Sequence, residues 1–201
     1  MVVDNLDTIV TLQVAESPEL SMKKDEIFSE TNLMLDSLVE SVEESDRTRQ
    51  LFTKGIEDVL DTVSDDETKS KISGLLEKEQ TAIPNSQLLK NDFFSIIGNI
   101  QLDTKVMFES TDNRDVETAT GIVERISGLG KSAVQYLEDG ADTRKRLIAI
   151  LGPDNVVSDI LKGIDEKRTE EENILKETMR DRYKKTVGVF EDYLKLKSGN
   201  Q

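Results

Sequence analysis

The side chains in this sequence that could carry charge-based chemistry are carboxylates, lysines and arginines. The 201 residues hold 41 acidic and 26 basic side chains, and no histidine, cysteine or tryptophan. Histidine- and cysteine-based zinc sites, nucleophile–base pairs built on histidine, and redox thiols are thereby excluded. Acids cluster at Glu43-Glu44, Asp65-Asp66 and Glu170-Glu171-Glu172. In so acidic a chain such clusters read as water-facing. None has the alternating order of a calcium loop. General acid–base work needs a carboxyl in an apolar pocket, and no segment points to one. The expectation is a protein that is not an enzyme, with no catalytic residue, metal, cofactor or small-molecule substrate.

One motif argues the other way. Gly128-Leu129-Gly130-Lys131-Ser132 ends like a phosphate-binding loop. That loop needs a further glycine five positions before Gly130, an upstream strand and a following helix. Arg125 occupies the glycine position. An apolar seam, Ala119, Val123, Ile126, Gly130, Ala133 and Leu137, also runs straight through the motif in steps of four and three, as in a coiled coil. The seam predicts helix here, buried against another helix within the chain or across a subunit interface. Gly121 and Gly128 lie seven residues apart on one face. Glycines inside a helix, each costing roughly 1 kcal/mol relative to alanine, suggest the close approach of another helix.

The candidate nucleic-acid contacts are two basic clusters, Arg144-Lys145-Arg146 and Arg180, Arg182, Lys184 and Lys185 around Tyr183. Cations of this kind meet phosphates, and Tyr183 offers a ring on which a base could stack. The charge is polarised along the chain. Residues 1–66 carry 17 acids and 5 bases, net −12, whereas residues 141–201 carry 12 acids and 13 bases, net +1. An acidic first third suits a basic protein surface.

The elements that position these groups are helices. Thr8–Val14 is β-branched and alternating, but one short strand makes no sheet. Residues 1–20 therefore read as a flexible arm, ordered against a partner or not at all. From Ser21, the expected N-cap, Ile27, Met34, Leu35, Leu38 and Val42 share a face. Residues 43–50 are wholly polar, an exposed helix segment or a hinge. Leu51 to Val63 resume the stripe, and Ser64 with Glu67 has capping-box spacing. Pro84 marks a helix end. This gives a first hairpin over 21–83 and a second, the oligomerisation core, over 84–151. After Gly152-Pro153 a long helix fills 152–201, its polar run 165–172 projecting from the body. The fold class expected is all-α, built of antiparallel coiled-coil-like hairpins with a long C-terminal helix.

The second hairpin resembles the small terminase subunits of large contractile-tailed phages. The likeness lies in Leu102-Asp103-x-x-Val106-Met107-Phe108-Glu109 before the turn and in Asp115-Val116-Glu117 through Leu137 after it. The hairpin at 21–83 has no counterpart in the simplest members. The resemblance implies neighbouring hairpins packed into a ring, recognition of viral DNA, and regulation of the packaging ATPase by a subunit without catalytic residues. The function expected is thus a non-enzymatic assembly or adaptor protein, a homo-oligomer with a protein partner and DNA as a further partner. The alternative is an acidic DNA mimic that occupies a nucleic-acid-binding protein. With no apolar run of bilayer-spanning length and no signal-like start, no membrane partner is expected. The reading is cytoplasmic, the host's cytoplasm if the protein is viral.

Overall fold

The computed structural model describes residues 17–109, 115–153 and 155–199. They form four α-helices, α1 (Pro18–Leu60), α2 (Asp66–Glu109), α3 (Asp115–Leu151) and α4 (Val156–Gly199). No strand occurs among the described residues, so the fold is all-α. At 1.5 Å per residue, helices of 37 to 44 residues run roughly 55–65 Å.

The helix ends follow local chemistry, and several differ from the sequence expectation. Helix α1 begins four residues early, because Ser17 rather than Ser21 is its N-cap. The Leu20 amide donates to Ser17 Oγ at 3.2 Å, and Pro18 fills the first helical position, where its missing N–H costs nothing. Residues 18–20 of the expected arm are therefore helix, while Thr8–Val14 lies outside the described residues. At the start of α2 the cap is Asp65, which accepts from the Thr68 amide at 2.7 Å, instead of the Ser64–Glu67 box. Hydrogen bonds from Thr68 hold the Asp65 carboxyl below the usual carboxylate range.

Pro84 does not end a helix. Helix α2 continues through it to Glu109; one proline removes a single rung from a ladder that neighbouring turns and tertiary packing sustain. The division into hairpins at 83/84 therefore gives way to one four-helix bundle. The turn expected between Glu109 and Asp115 lies outside the described residues. Gly152 has φ +78°, the left-handed conformation that closes a helix C-terminus, and its amide donates to the Ile148 carbonyl at 3.2 Å. Asn155 then caps α4 through the Val157 amide at 2.9 Å.

The helices run up-down-up-down. Lys24 reaches the Phe108 carbonyl and Lys78 reaches Thr143, each pairing the first third of one helix with the end of the next, and Lys197 near the end of α4 pairs with Asp115 at the start of α3. Helices α1 and α3 run parallel across the centre and touch, whereas α2 and α4 do not meet. The section is a lozenge with α1 and α3 on its short diagonal. One apolar cluster joins Met34 and Leu38 of α1, Phe93 and Ile100 of α2, Ile126 and Ala133 of α3, and Phe190 and Tyr193 of α4. A second, smaller one joins Ile56, Val59, Ile72, Leu75 and Leu147 at the other end. Each large side chain so buried contributes about 1.5–3 kcal/mol.

Candidate functional site

Between the two apolar clusters the core is polar, and Asp46, Arg49, Glu79, Arg144 and Glu172 are buried there. Residues 43–50 are neither hinge nor exposed segment: Ser45, Asp46, Thr48 and Arg49 are buried in continuous helix. Arg49 of α1 is 3% exposed and Glu79 of α2 only 1%. The guanidinium donates to Glu79 Oε2 at 3.0 Å and to the Tyr136 carbonyl of α3 at 2.9 Å. Tyr136 donates its hydroxyl to Asp46 Oδ1 at 2.6 Å, and Lys90 of α2 pairs with the same carboxylate. Gly140 leaves the space Arg49 occupies; a Cβ there would sit 3.4 Å from Arg49 Nε.

A second centre follows one turn along α3. Arg144 donates from Nε to Asp165 Oδ1 at 2.8 Å and from Nη2 to Glu172 at 2.9 Å, both on α4. Burial pushes the Glu172 carboxyl above its ordinary range, outweighing the opposing pull of Arg144. Segment 165–172 therefore does not project from the body; it is clasped to α3, and Arg168 bonds Glu44 of α1 at 3.1 Å. Each arginine thus ties one flanking helix to the central pair: Arg49 holds α2 and Arg144 holds α4. Buried pairs of this kind add little net stability, because desolvation offsets the attraction, but they penalise wrong registers. Every carboxylate named here already faces a cation.

Arg144 is consequently removed from the candidate DNA contacts, being buried and doubly paired. Its neighbours Lys145 and Arg146 are exposed, with Arg146 bonded to Asp142 at 2.8 Å. In the second basic cluster, Lys185 bonds Glu30 at 2.8 Å and Arg182 lies 4.0 Å from the same carboxylate. Lys184 stands 3.7 Å from Asp181. Arg180 is exposed on the rim of a groove between α3 and α4. Acidic partners thus stand beside Arg146, Arg182, Lys184 and Lys185, while Lys145, Arg146, Arg180 and Lys184 remain exposed.

The seam lies where its period puts it. Ala119, Ile126, Ala133 and Leu137 are buried in the larger apolar cluster, and Val123 packs against it. At Gly130 a Cβ would come 3.9 Å from Leu38. The partner of this seam is the chain's own core, so it is used up inside the monomer rather than offered as an oligomer surface. A Cβ at Gly121 or Gly128 would meet nothing within 4 Å, so neither glycine marks a close helix approach within the chain. Residues 128–132 are interior α3, where amides bond to carbonyls four residues back and leave no free cradle for a phosphate.

Three grooves among the described residues differ in character. The α3/α4 groove, about 680 Å³, mixes Lys131, Lys176 and Arg180 with Glu138 and Glu177. The α1/α4 groove, about 510 Å³, is apolar around Leu51, Ile160 and Ile164, with Lys167 and Arg168 at its edge. The α1/α2 groove, about 340 Å³, is lined by Asp36, Glu40 and Glu43 over Leu35, Val39, Phe94 and Ile97, without a cation. Elsewhere on α2, Leu88, Leu102 and Val106 are 63%, 59% and 54% exposed. Their spacing, two heptads and then four residues, keeps them on one face.

Among the described residues, no group of three or more acidic side chains is placed to hold a metal ion, and no helix is long and apolar enough to cross a membrane. No family model and no curated protein matches the chain.

Proposed function

We propose that the protein is a non-enzymatic helical adaptor that works by assembling with other chains. The observation that carries this reading is a division of labour in its side chains. The buried charged groups described above are committed to holding helices together, whereas Leu88, Leu102 and Val106 turn outward from α2 on one face. Exposed apolar surface of this kind marks protein–protein contacts; the stripe is interrupted between Leu88 and Leu102 by exposed Asp92, Ser95 and Asn99. Self-association through the α2 stripe makes the protein a homo-oligomer. The sharpest version is a DNA-packaging subunit of the small terminase type, in which exposed Lys145, Arg146, Arg180 and Lys184 face phosphates.

Light scattering coupled to size-exclusion chromatography tests the assembly. A mass of several subunits that falls to the monomer in Leu102→Glu/Val106→Glu supports it; a monomer at all concentrations leaves only hetero-assembly. The DNA version predicts retention of duplex DNA at low salt, lost steeply as salt rises and abolished when the four exposed cations are reversed to glutamate. Without retention at low salt that version fails. The acidic-mimic alternative then leads, supported by the cation-free row Asp36, Glu40 and Glu43.

A further inference from the structure

The α1/α2 groove has the chemistry of a receptor for a basic amphipathic helix, and we infer that it docks one carried by a partner protein. This rests on the adaptor reading and gives it a ligand. Asp36, Glu40 and Glu43 stand at i, i+4 and i+7 of α1, on one face and spanning roughly 10 Å of helix axis. All three are exposed. The groove lining as a whole contains no lysine or arginine. This is unusual within the bundle, whose α3/α4 groove sets cations among its acids.

Beside the acidic row lies an apolar trough. Phe94 is 56% exposed, a large ring left in water beside half-buried Val39 and Ile97. The Gln101 amide donates to Asn32 Oδ1 at 2.8 Å and closes one end; the Asp46–Lys90 pair lies beyond the other. Between them the trough admits about three turns of helix, given the 12 residues from Asn32 to Glu43.

An acidic row alone would attract any cation without choosing its shape. A ring and two aliphatic side chains alone would accept any apolar surface. Together they select a helix with lysine or arginine at i, i+4 and i+7 along one edge and leucine-type residues along the next. A cation that overshoots the carboxylates meets the Phe94 face, which also attracts positive charge. A nucleic acid is repelled by the same row.

The test uses the full chain and a fluorescein-labelled synthetic peptide of 18 residues, built from leucine, lysine and alanine with lysines at i, i+4 and i+7. Its counterpart carries glutamate in place of lysine. Anisotropy should rise with the lysine peptide alone. Neutralising the row (Asp36→Asn, Glu40→Gln, Glu43→Gln) should weaken binding by about tenfold, and Phe94→Ala alone by a similar factor. A charge-matched control (Asp58→Asn, Asp61→Asn, Asp66→Asn) should change it by less than about threefold, since these exposed acids lie outside the groove. Circular dichroism checks that each variant keeps its helices, as expected for side chains this exposed. Equal loss in both triple variants, no effect of Phe94→Ala, or no binding at low salt each overturns the proposal. None of these outcomes touches self-association through the α2 stripe, which the mass measurement decides separately.

Discussion

Arg49 lies over the ring of Tyr136, its guanidinium carbon 4.3 Å from the ring centroid, while also donating to that residue's backbone carbonyl. One tyrosine thus meets the arginine twice, through its ring and through its main chain, and fixes the height at which α1 and α3 pass each other. Glu79 on α2 then completes the contact from the other side.

This arrangement predicts an asymmetric response to mutation. Arg49→Met leaves Glu79 charged and buried without its cation, which should cost about 3–5 kcal/mol. The double variant Arg49→Met/Glu79→Met should recover most of that loss, because the remaining groups are apolar and similar in volume. Urea denaturation of the four species of the cycle measures it. Equal stability of the single and double variants would mean that Glu79 finds another partner.

Ile126 is fully buried at the centre of the larger apolar cluster. Ile126→Asp should cost about 4 kcal/mol or more, since a carboxylate there loses its hydration among apolar side chains. Thermal melting followed by circular dichroism checks this. A melting temperature within a few degrees of the wild type would be incompatible with the packing described.

The glycines of α3 make a prediction of opposite sign. Gly121 and Gly128 have open space where a Cβ would be, so alanine at each should stabilise the helix by roughly 0.5–1 kcal/mol. If either variant instead loses stability or changes the mass in solution, another chain approaches closely there.

Glu172 supplies a pH dependence. Its carboxyl is raised above the ordinary range, chiefly by burial, so between the ordinary and the raised value the folded chain holds more protons than the unfolded one. Stability from this group is present at acid pH and lost as pH rises through that interval. Glu172→Gln, which cannot ionise, removes the term. The difference in melting temperature, wild type minus variant, should fall as pH is raised from the ordinary glutamate range towards neutrality. A difference that grows with pH would mean that Arg144 outweighs burial.

Much of the helical framework could be read from periodicity, because Leu38, Ile126 and their neighbours recur at helix spacing and end up buried together. The polar layer was harder to see for a definite reason. Asp46 and Arg49 continue the register of Leu38 and Val42, and Arg144 continues the steps from Leu137 through Gly140 to Leu147. Polarity argued for solvent at these positions, register argued for core, and register won because each charge found a partner on another helix. The partners lie 21 to 90 residues away, so no local pattern announces them. Pro84 misled in a similar way: its local preference for ending a helix was overridden by packing on both sides. The acidic row at Asp36, Glu40 and Glu43 does not stand out in the sequence, because its pairing with Phe94 depends on how α1 and α2 are juxtaposed.

The lozenge section has a consequence for how the molecule comes apart. Because α2 and α4 never touch, neither depends on the other for its place, and each is fastened by a different arginine of the central pair. Backbone amides should accordingly exchange with deuterium in two separable sets. Weakening the Arg49 fastening frees those of α2 while α4 stays protected, and weakening the Arg144 fastening does the reverse. A rod of this design can open along either flank while its spine stays closed.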